Sequence, residues 1–397
     1  MKLKRLPEDF RVTELSEIRT DGGEFALYRL RKTSIGTLEA IEELQRRWNL
    51  QRNRISWGGL KDRHAVTEQF VTVRGGPQRN HREKGIELTW LGRTRKPFTP
   101  ADIHGNRFEI VIRDLSSAEA LRSQADLGQV AESGVPNYFD DQRFGSVGES
   151  GEFIGRPWCQ GDYERALWLA LAEPHPDDPA DEREQKRILR EHWGRWLECK
   201  AALDRSHRRS VVTYLADRPP EPPFDFRGAF ARIRVDLRGL YLSAYQSALW
   251  NRMLAAFLRD RLPADALCDI PLQLGPAPFF LSLTPEQRSQ IATVLLPLPS
   301  ARQHLEPGPM LDLMQSVLAR EGLELRELRV KYPRDSFFSK GERRAVTIPA
   351  EAGSTIAPDE LYQGRSKLTM NFILPRGAYA TIIVKRLTDA AGCEVER

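Results

Sequence analysis

The sequence predicts an α+β protein of two domains: a mixed or antiparallel sheet with flanking helices, interrupted by a mainly helical α+β insertion. Three observations carry this. Strand and helix signals alternate through the first third, helices broken by proline fill the middle, and strand signals return near the end. A chain of 397 residues also exceeds what one hydrophobic core ordinarily serves. The simplest arrangement lets the last strands rejoin the first sheet, so that 1–162 and 349–397 form one domain and 163–348 is inserted within it.

Taken in order, FALYRLRK (25–32) reads as a strand and TLEAIEELQRRW (37–48) as an amphipathic helix with Leu38, Ile41 and Leu44 on one face. RISW (54–57), QFVTVR (69–74), IELTWL (86–91) and RFEIVIR (107–113) have the β-branched and aromatic content of further strands, separated by Gly, Pro and Arg-rich turns. The segment 116–132 reads as a helix with Ser116 or Ser117 as its N-cap. A glycine-bounded loop holding several aromatics follows. Beyond Gly161 come helical segments at 162–173, 181–203 and 239–262, with proline-rich connectors at 173–182 and 217–226 whose ring-locked backbones stop helices. KLTMNFILP (367–375) and AYATIIVKRL (378–387) read as two closing strands joined by a turn at Arg376-Gly377.

Apolar residues make up 40% of the chain and charged residues 29%, the balance of an ordinary folded protein. No apolar run approaches the roughly 20 residues that span a bilayer, and the basic N-terminus lacks the apolar stretch of a secretory signal, so a cytoplasmic protein without membrane contact is expected. Cys159, Cys199, Cys268 and Cys393 lie far apart with no CxxC pair, which points to neither a structural metal nor a disulfide framework. The net charge of +5 suits a polyanionic partner. Clusters such as Arg52-Asn53-Arg54 and Arg93-Thr94-Arg95-Lys96 suit phosphate, because guanidinium forks bind its oxygens in pairs; they serve equally as solvated faces.

Two stretches carry candidate chemistry. In GGLKDRHAVTEQF (58–70), Asp62 stands between Lys61 and Arg63 on a glycine-entered turn. Flanking positive charge favours an ionised carboxylate, and the paired glycines admit a close-lying substrate backbone. Such an acid can act as nucleophile or base, or simply cap its own turn. In VPNYFDDQRFG (135–145), aromatics, an amide and Arg143 share one turn-rich stretch. This is the inventory for holding an extruded nucleobase, with a ring to stack on, an amide for the base edge and a cation for phosphate. The same rings, Tyr138, Phe139 and Phe144, could instead fill an interior. There is no P-loop, dinucleotide fingerprint, GxSxG or HExxH. A Mg²⁺-dependent nuclease using Asp62, Asp140 and Asp141 has only one acidic pair to build on.

PEDFRVTEL (7–15), GGLKDRHAVTEQ (58–69), VPNYFDDQRFG (135–145), YLSAYQSALWNRML (241–254), GERRA (341–345) and PRGAYATIIVKRL (375–387) together resemble the TruD family of pseudouridine synthases, in the family's order and from end to end of the chain. The resemblance implies a catalytic domain carrying an inserted TRUD domain, isomerisation of uridine to pseudouridine in tRNA at uridine 13 of the D-arm, and a monomer needing neither cofactor nor metal. It implies that Asp62 is the catalytic aspartate, that Phe10, Asn137 and Tyr379 line the uridine pocket, that Phe139 stacks on the base and that Lys4 supports the acid. Lys61 and Arg63 are expected to meet phosphate while keeping Asp62 charged, with Arg143 as a further substrate contact. One departure stands out: Asp140 occupies a position where the family usually has glycine, so the turn must avoid positive φ or force Asp into it, and its charge would oppose RNA. A non-catalytic RNA-binding or RNA-chaperone protein retaining the fold is the alternative.

Overall fold

The computed structural model describes residues 1–219 and 221–390. They form two compact units: Met1–Val135 with the described residues from Val346 on, and Pro136–Ala345.

The first unit is built on a ten-stranded mixed sheet. In chain order its strands are β1 (Lys2–Leu3), β2 (Phe10–Leu15), β3 (Phe25–Thr33), β4 (Ile55–Trp57), β5 (Val66–Arg74), β6 (His81–Glu83), β7 (Ile86–Thr94), β8 (Gly105–Leu115), β9 (Ala350–Pro358) and β10 (Ser366–Pro375). Across the sheet they run β9-β10-β8-β2-β5-β3-β7-β6, with β1 on β8 and β4 on β5. β2 and β5 are parallel, whereas β8 lies antiparallel to β2 and β3 antiparallel to β5. The closing strand β10 pairs with β8 over most of its length, which is how the end of the chain rejoins the first sheet.

Among the described residues three α-helices accompany the sheet: α1 (Thr37–Trp48), α2 (Ser117–Ser133) and α3 (Ala380–Asp389). α1 buries Thr37, Ala40, Ile41 and Leu44, and its apolar side chains join a cluster with Tyr28 and Leu30 of β3, Val71 and Val73 of β5 and Leu88 of β7. Each such aliphatic side chain contributes about 1.5–3 kcal/mol when fully buried. Leu38, expected on this face, is 50% exposed. At roughly 100° per residue, positions 37, 40, 41 and 44 share a narrow arc, while 38 falls outside it. Ser116 caps α2 by accepting a bond from Glu119 N, the Glu119 carboxylate returning one to Ser116 N.

α3 corrects the reading of 378–387 as a strand. Its run Thr381-Ile382-Ile383-Val384 favours a strand by propensity, but Ala380, Ile383, Val384 and Leu387 repeat at helical spacing, are buried, and belong to a helix packed against α2. The expected helix over 181–203 is likewise two, Ala180–Glu191 and Trp196–Ala202, separated near Gly194, whose φ of +88° lies in the left-handed region.

The second unit packs around the 27-residue helix Val235–Arg261, which buries Leu242, Tyr245, Leu249, Trp250 and Met253. Two antiparallel pairs accompany the helices, Leu267–Leu272 with Gly275–Phe280 and Leu295–Pro297 with Glu342–Arg344. The unit begins at Pro136, ahead of the change in composition at 163. Between them, Phe144, Phe153 and Trp158 are buried in the same cluster as Leu167 and Leu249, so aromatic anchors set the packing boundary where glycines and polar residues set the composition. No helix among the described residues is long and apolar enough to cross a membrane. Cys159 and Cys199 are free thiols, Cys268 is disulfide-bonded although the spacing points to no disulfide framework, and Cys393 lies outside the described residues.

Candidate functional site

Topology gathers one set of candidates at one end of the first unit's sheet. Arg11 of β2 faces Val66 of the parallel strand β5, so the residues just before both strands lie side by side. β3 runs antiparallel to β5, which brings its last residues, Lys32 and Thr33, to the same end, opposite Thr67 and Val66. The turn bearing Asp62 enters β5 there.

The Lys4 ammonium donates to Asp62 Oδ2 at 2.7 Å, each side chain about one third exposed. The same nitrogen stands 4.1 Å from the centre of the Phe10 ring, so one cation is held between an aromatic face and a carboxylate. Phe10 is buried and meets Phe108 edge to face at 6.2 Å. Lys4 has a φ of +51°, an uncommon conformation for a residue with a Cβ. The segment carrying Lys4 and Phe10 is pinned through buried Asp9, which accepts from Leu6 N at 2.9 Å and from Arg113 Nε at 2.9 Å. Arg113, itself buried, also reaches Asp359 at 3.0 Å. The Asp9 carboxylate, with Glu360 and Asp359, holds the guanidinium pKa above its ordinary value despite burial.

The Asp62 turn is tied down residue by residue. Gln69 Nε2 donates to Gly59 O at 3.1 Å; Thr37 Oγ1 accepts from Lys61 N at 2.9 Å and donates to Gln69 Oε1 at 2.9 Å. Lys32 Nζ donates to Asp62 O at 2.7 Å, to Lys61 O at 3.3 Å and to Ile35 O at 2.7 Å. Burial pushes the Lys32 ammonium down to about 8, with Asp62 opposing the shift, Lys61 adding to it and Glu39 opposing it.

Two expectations about this turn change. The Lys61 ammonium lies 3.1 Å from the Glu14 carboxylate, donates to Asn106 Oδ1, and is 9% exposed, so its charge is spent inside the protein rather than offered to phosphate. Gly58 is a packing glycine: a Cβ there would sit 2.4 Å from Ile103 Cδ1 and 2.9 Å from Phe98, leaving Gly59 as the open position of the pair. Of the two cations flanking Asp62, Arg63 is the one that extends outward, its guanidinium 61% exposed and 3.7 Å from Glu39. Tyr379 is the residue that opens α3 and is half-buried.

The second set lies in the second unit. Asn137 is buried, and its amide is engaged at both ends: Nδ2 donates to Arg344 O at 3.0 Å and Oδ1 accepts from Arg343 Nη2 at 2.8 Å. Arg343 also donates through Nε to Asn137 O at 2.9 Å, and its guanidinium lies 4.2 Å from the centre of the Phe139 ring. Phe139 is half-buried, meets Trp250 edge to face at 5.5 Å, and is fixed at both ends of its peptide by Asn251, at 2.8 Å and 2.9 Å. Arg143 stands 5.8 Å from the same ring and bonds Ser247 Oγ at 3.4 Å. Tyr138 and Phe144 are core residues; the Tyr138 hydroxyl donates to Pro278 O at 3.0 Å, and burial raises its pKa well above the ordinary value. Asp140 has φ −78° and ψ 160°, so the turn does without the left-handed conformation for which a glycine would be needed. Among the described residues no group of three or more His, Cys, Asp or Glu side chains could hold a metal ion.

Lys32, Glu14, Asn106, Arg113 and Arg343 were not singled out from the sequence. Lys32 carried a readable signal: Ala26, Tyr28, Leu30 and Lys32 occupy alternate positions of one strand, so the lysine falls in phase with the apolar face. Arg343 lies in GERRA, yet nothing in that motif marks which arginine turns inward.

The family model of tRNA pseudouridine synthase D (TruD) matches residues 1–387. The chain is 30% identical to a tRNA pseudouridine synthase D of Methanococcus maripaludis, over 98% of this chain and 99% of that protein. It is 28% identical to the tRNA pseudouridine synthase D of Aquifex aeolicus, over 98% of both. Its fold superposes on the crystal structure of a TruD protein from Methanosarcina mazei with a TM-score of 0.71 and 25% identity, covering 97% of this chain and 92% of that one. With matched motifs, a matched fold and coverage from end to end, this chain belongs to the tRNA pseudouridine synthase D (TruD) family.

Proposed function

We propose that this protein isomerises uridine to pseudouridine in tRNA, with Asp62 as its catalytic carboxylate and uridine 13 of the D-arm as the target. The observation that carries the proposal is the Lys4–Asp62 contact on a turn bonded at successive residues, an acid presented partly to solvent on rigid backbone. Such an arrangement suits a group that must meet one atom of a substrate in one orientation.

The reaction breaks the bond between C1′ and N1, turns the uracil and rejoins it through C5, a redox-neutral exchange that ends with loss of the C5 proton. Asp62 acts in one of two ways. As a nucleophile, an Asp62 oxygen bonds to C1′ while the C1′–N1 pair leaves with uracil, and C5 later displaces the carboxylate. As a base, it removes the C2′ proton to give a glycal and later returns it. In either route Lys4 balances the acid's charge in the resting enzyme. We assign Phe10 and Tyr379 to the wall of the uridine pocket, Phe139 to stacking on the base, Asn137 to its polar edge, and Arg143 and Arg63 to the RNA backbone. Lys61 is reassigned to holding the turn. Extruding a nucleotide costs a few kcal/mol, and stacking returns about 1–3 kcal/mol per base, so phosphate contacts supply much of the remainder.

The test is release of tritium from tRNA labelled at C5 of uridine. The wild type should release label in proportion to turnover, Asp62→Asn should not, and tRNA with cytidine at position 13 should be inert. A protein that binds tRNA but leaves the label in place would be the RNA-binding alternative. EDTA should leave the rate unchanged; cleavage of the RNA, abolished by EDTA, would establish the nuclease.

A further inference from the structure

We infer that Lys32 is a positioning residue for the reaction, a buried ammonium that clamps the backbone of the Asp62 turn so that the carboxylate is delivered in one orientation against Lys4. The inference rests on the reading of Asp62 given above. It begins from a cost. Lys32 is fully buried in β3, in line with Tyr28 and Leu30, and a methionine would occupy the same volume without any charge to desolvate. A buried cation is usually held by a carboxylate. The hydrogen bonds of this one go instead to three main-chain oxygens, those of Ile35, Lys61 and Asp62.

The placement of those oxygens gives the lysine its role. Thr37 and Gln69 fix the turn at Lys61 N and Gly59 O, which lie before the acid. Lys32 fixes the carbonyls on both sides of the Asp62 nitrogen and Cα, and so the two peptide planes that set where its Cβ points. The Asp62 carboxylate, one third exposed, is paired with Lys4 and interacts with the charge of Lys32. An apolar side chain at 32 would take this donor away from three carbonyls and remove a positive charge near the acid. A misplacement of about 1 Å at a reacting group costs on the order of 100-fold in rate.

Lys32→Met and Lys32→Gln test the role, assayed by tritium release from tRNA with the folded fraction measured in parallel. Lys32→Met should lower kcat on the order of 100-fold per folded molecule with KM for tRNA within about twofold of wild type. Lys32→Gln, whose amide can still donate to two carbonyls, should recover part of that loss. A merely structural lysine would lower the folded fraction and leave kcat per folded molecule intact, which would overturn the assignment. So would a loss expressed in KM alone, or failure of both variants to fold, since Lys32 would then be only a core residue. Asp62→Asn, run alongside, separates the two readings. If Asp62→Asn turns over normally, the role of Asp62 falls and takes the clamp with it; if it is inactive while Lys32→Met matches wild type, only the clamp falls.

Discussion

The turn 58–63 of the first unit and the loop 135–145 of the second share one device, polar side chains bonded to the main chain, and differ in what is added to it. The first is fixed by polar side chains reaching its main chain, from Lys32, Thr37 and Gln69, while the Asp62 side chain stays partly open. The second is fixed by aromatic burial beneath it, by Asn251 at both ends of the Phe139 peptide, and by Arg343, which spans Asn137 and the face of Phe139. The difference follows the demands on each. Under the roles proposed above, an acid that must meet one atom needs its backbone fixed to a fraction of an ångström, whereas a ring that stacks on a base needs a face and a wall.

The largest effect that could break this comparison concerns the two side chains proposed to meet the substrate, Asp62 and Phe139. Asp62→Asn should reduce tritium release by roughly 10³-fold or more with tRNA affinity retained, as for loss of a group acting only in the chemical step. Phe139→Ala should cost about 1–3 kcal/mol through lost stacking, up to roughly 100-fold in kcat/KM. If Phe139→Ala proved the more damaging, the division of labour would be wrong.

The two anchors come next. Arg343→Met leaves Asn137 without its Arg343 bonds and should destabilise the second unit by about 1–3 kcal/mol in urea unfolding. Lys32 should show itself through pH. Its pKa is lowered from 10.5 to about 8 in the folded protein, so the native state gives up this proton more readily than the unfolded chain. Unfolding free energy of the wild type relative to Lys32→Met should therefore rise between about pH 8 and 10.5, by roughly 3 kcal/mol at most, and be lost as pH falls through 8. A flat difference over that window would mean the ammonium is solvated.

The smallest effect is expected at Arg63, exposed and loosely paired with Glu39. Arg63→Ala should change stability by less than about 0.5 kcal/mol. If it meets a phosphate, it should also flatten the log–log salt dependence of tRNA binding by roughly 0.7.

The helix 37–48 was legible in the sequence because its ends and its period agree, and β3, β8 and α2 for the same reason. The segment 378–387 was misread because a β-branched run suits a strand locally, and the α2 face that buries it as a helix lies far away in the chain. Asp62 and the loop 135–145 were visible as unusual combinations of residue types. Most of their supports were not, since apart from Gln69 they lie outside those stretches, Lys32 and Thr37 before the turn and Asn251 and Arg343 far beyond the loop.

What the sequence by itself determined is therefore the local part: which segments carry an apolar face, where prolines and glycines interrupt them, and which residues have the chemistry to matter. Tertiary structure alone decided how the charges pair. Lys4 and Asp62 are 58 positions apart, and Lys61, next to the acid in the chain, turns inward to Glu14 and Asn106. The physical reason is that a cation's free energy depends on what surrounds it after folding. The same ammonium is solvated on a surface, paired in a cleft, or clamped on carbonyls inside a sheet, and neighbours in sequence do not say which.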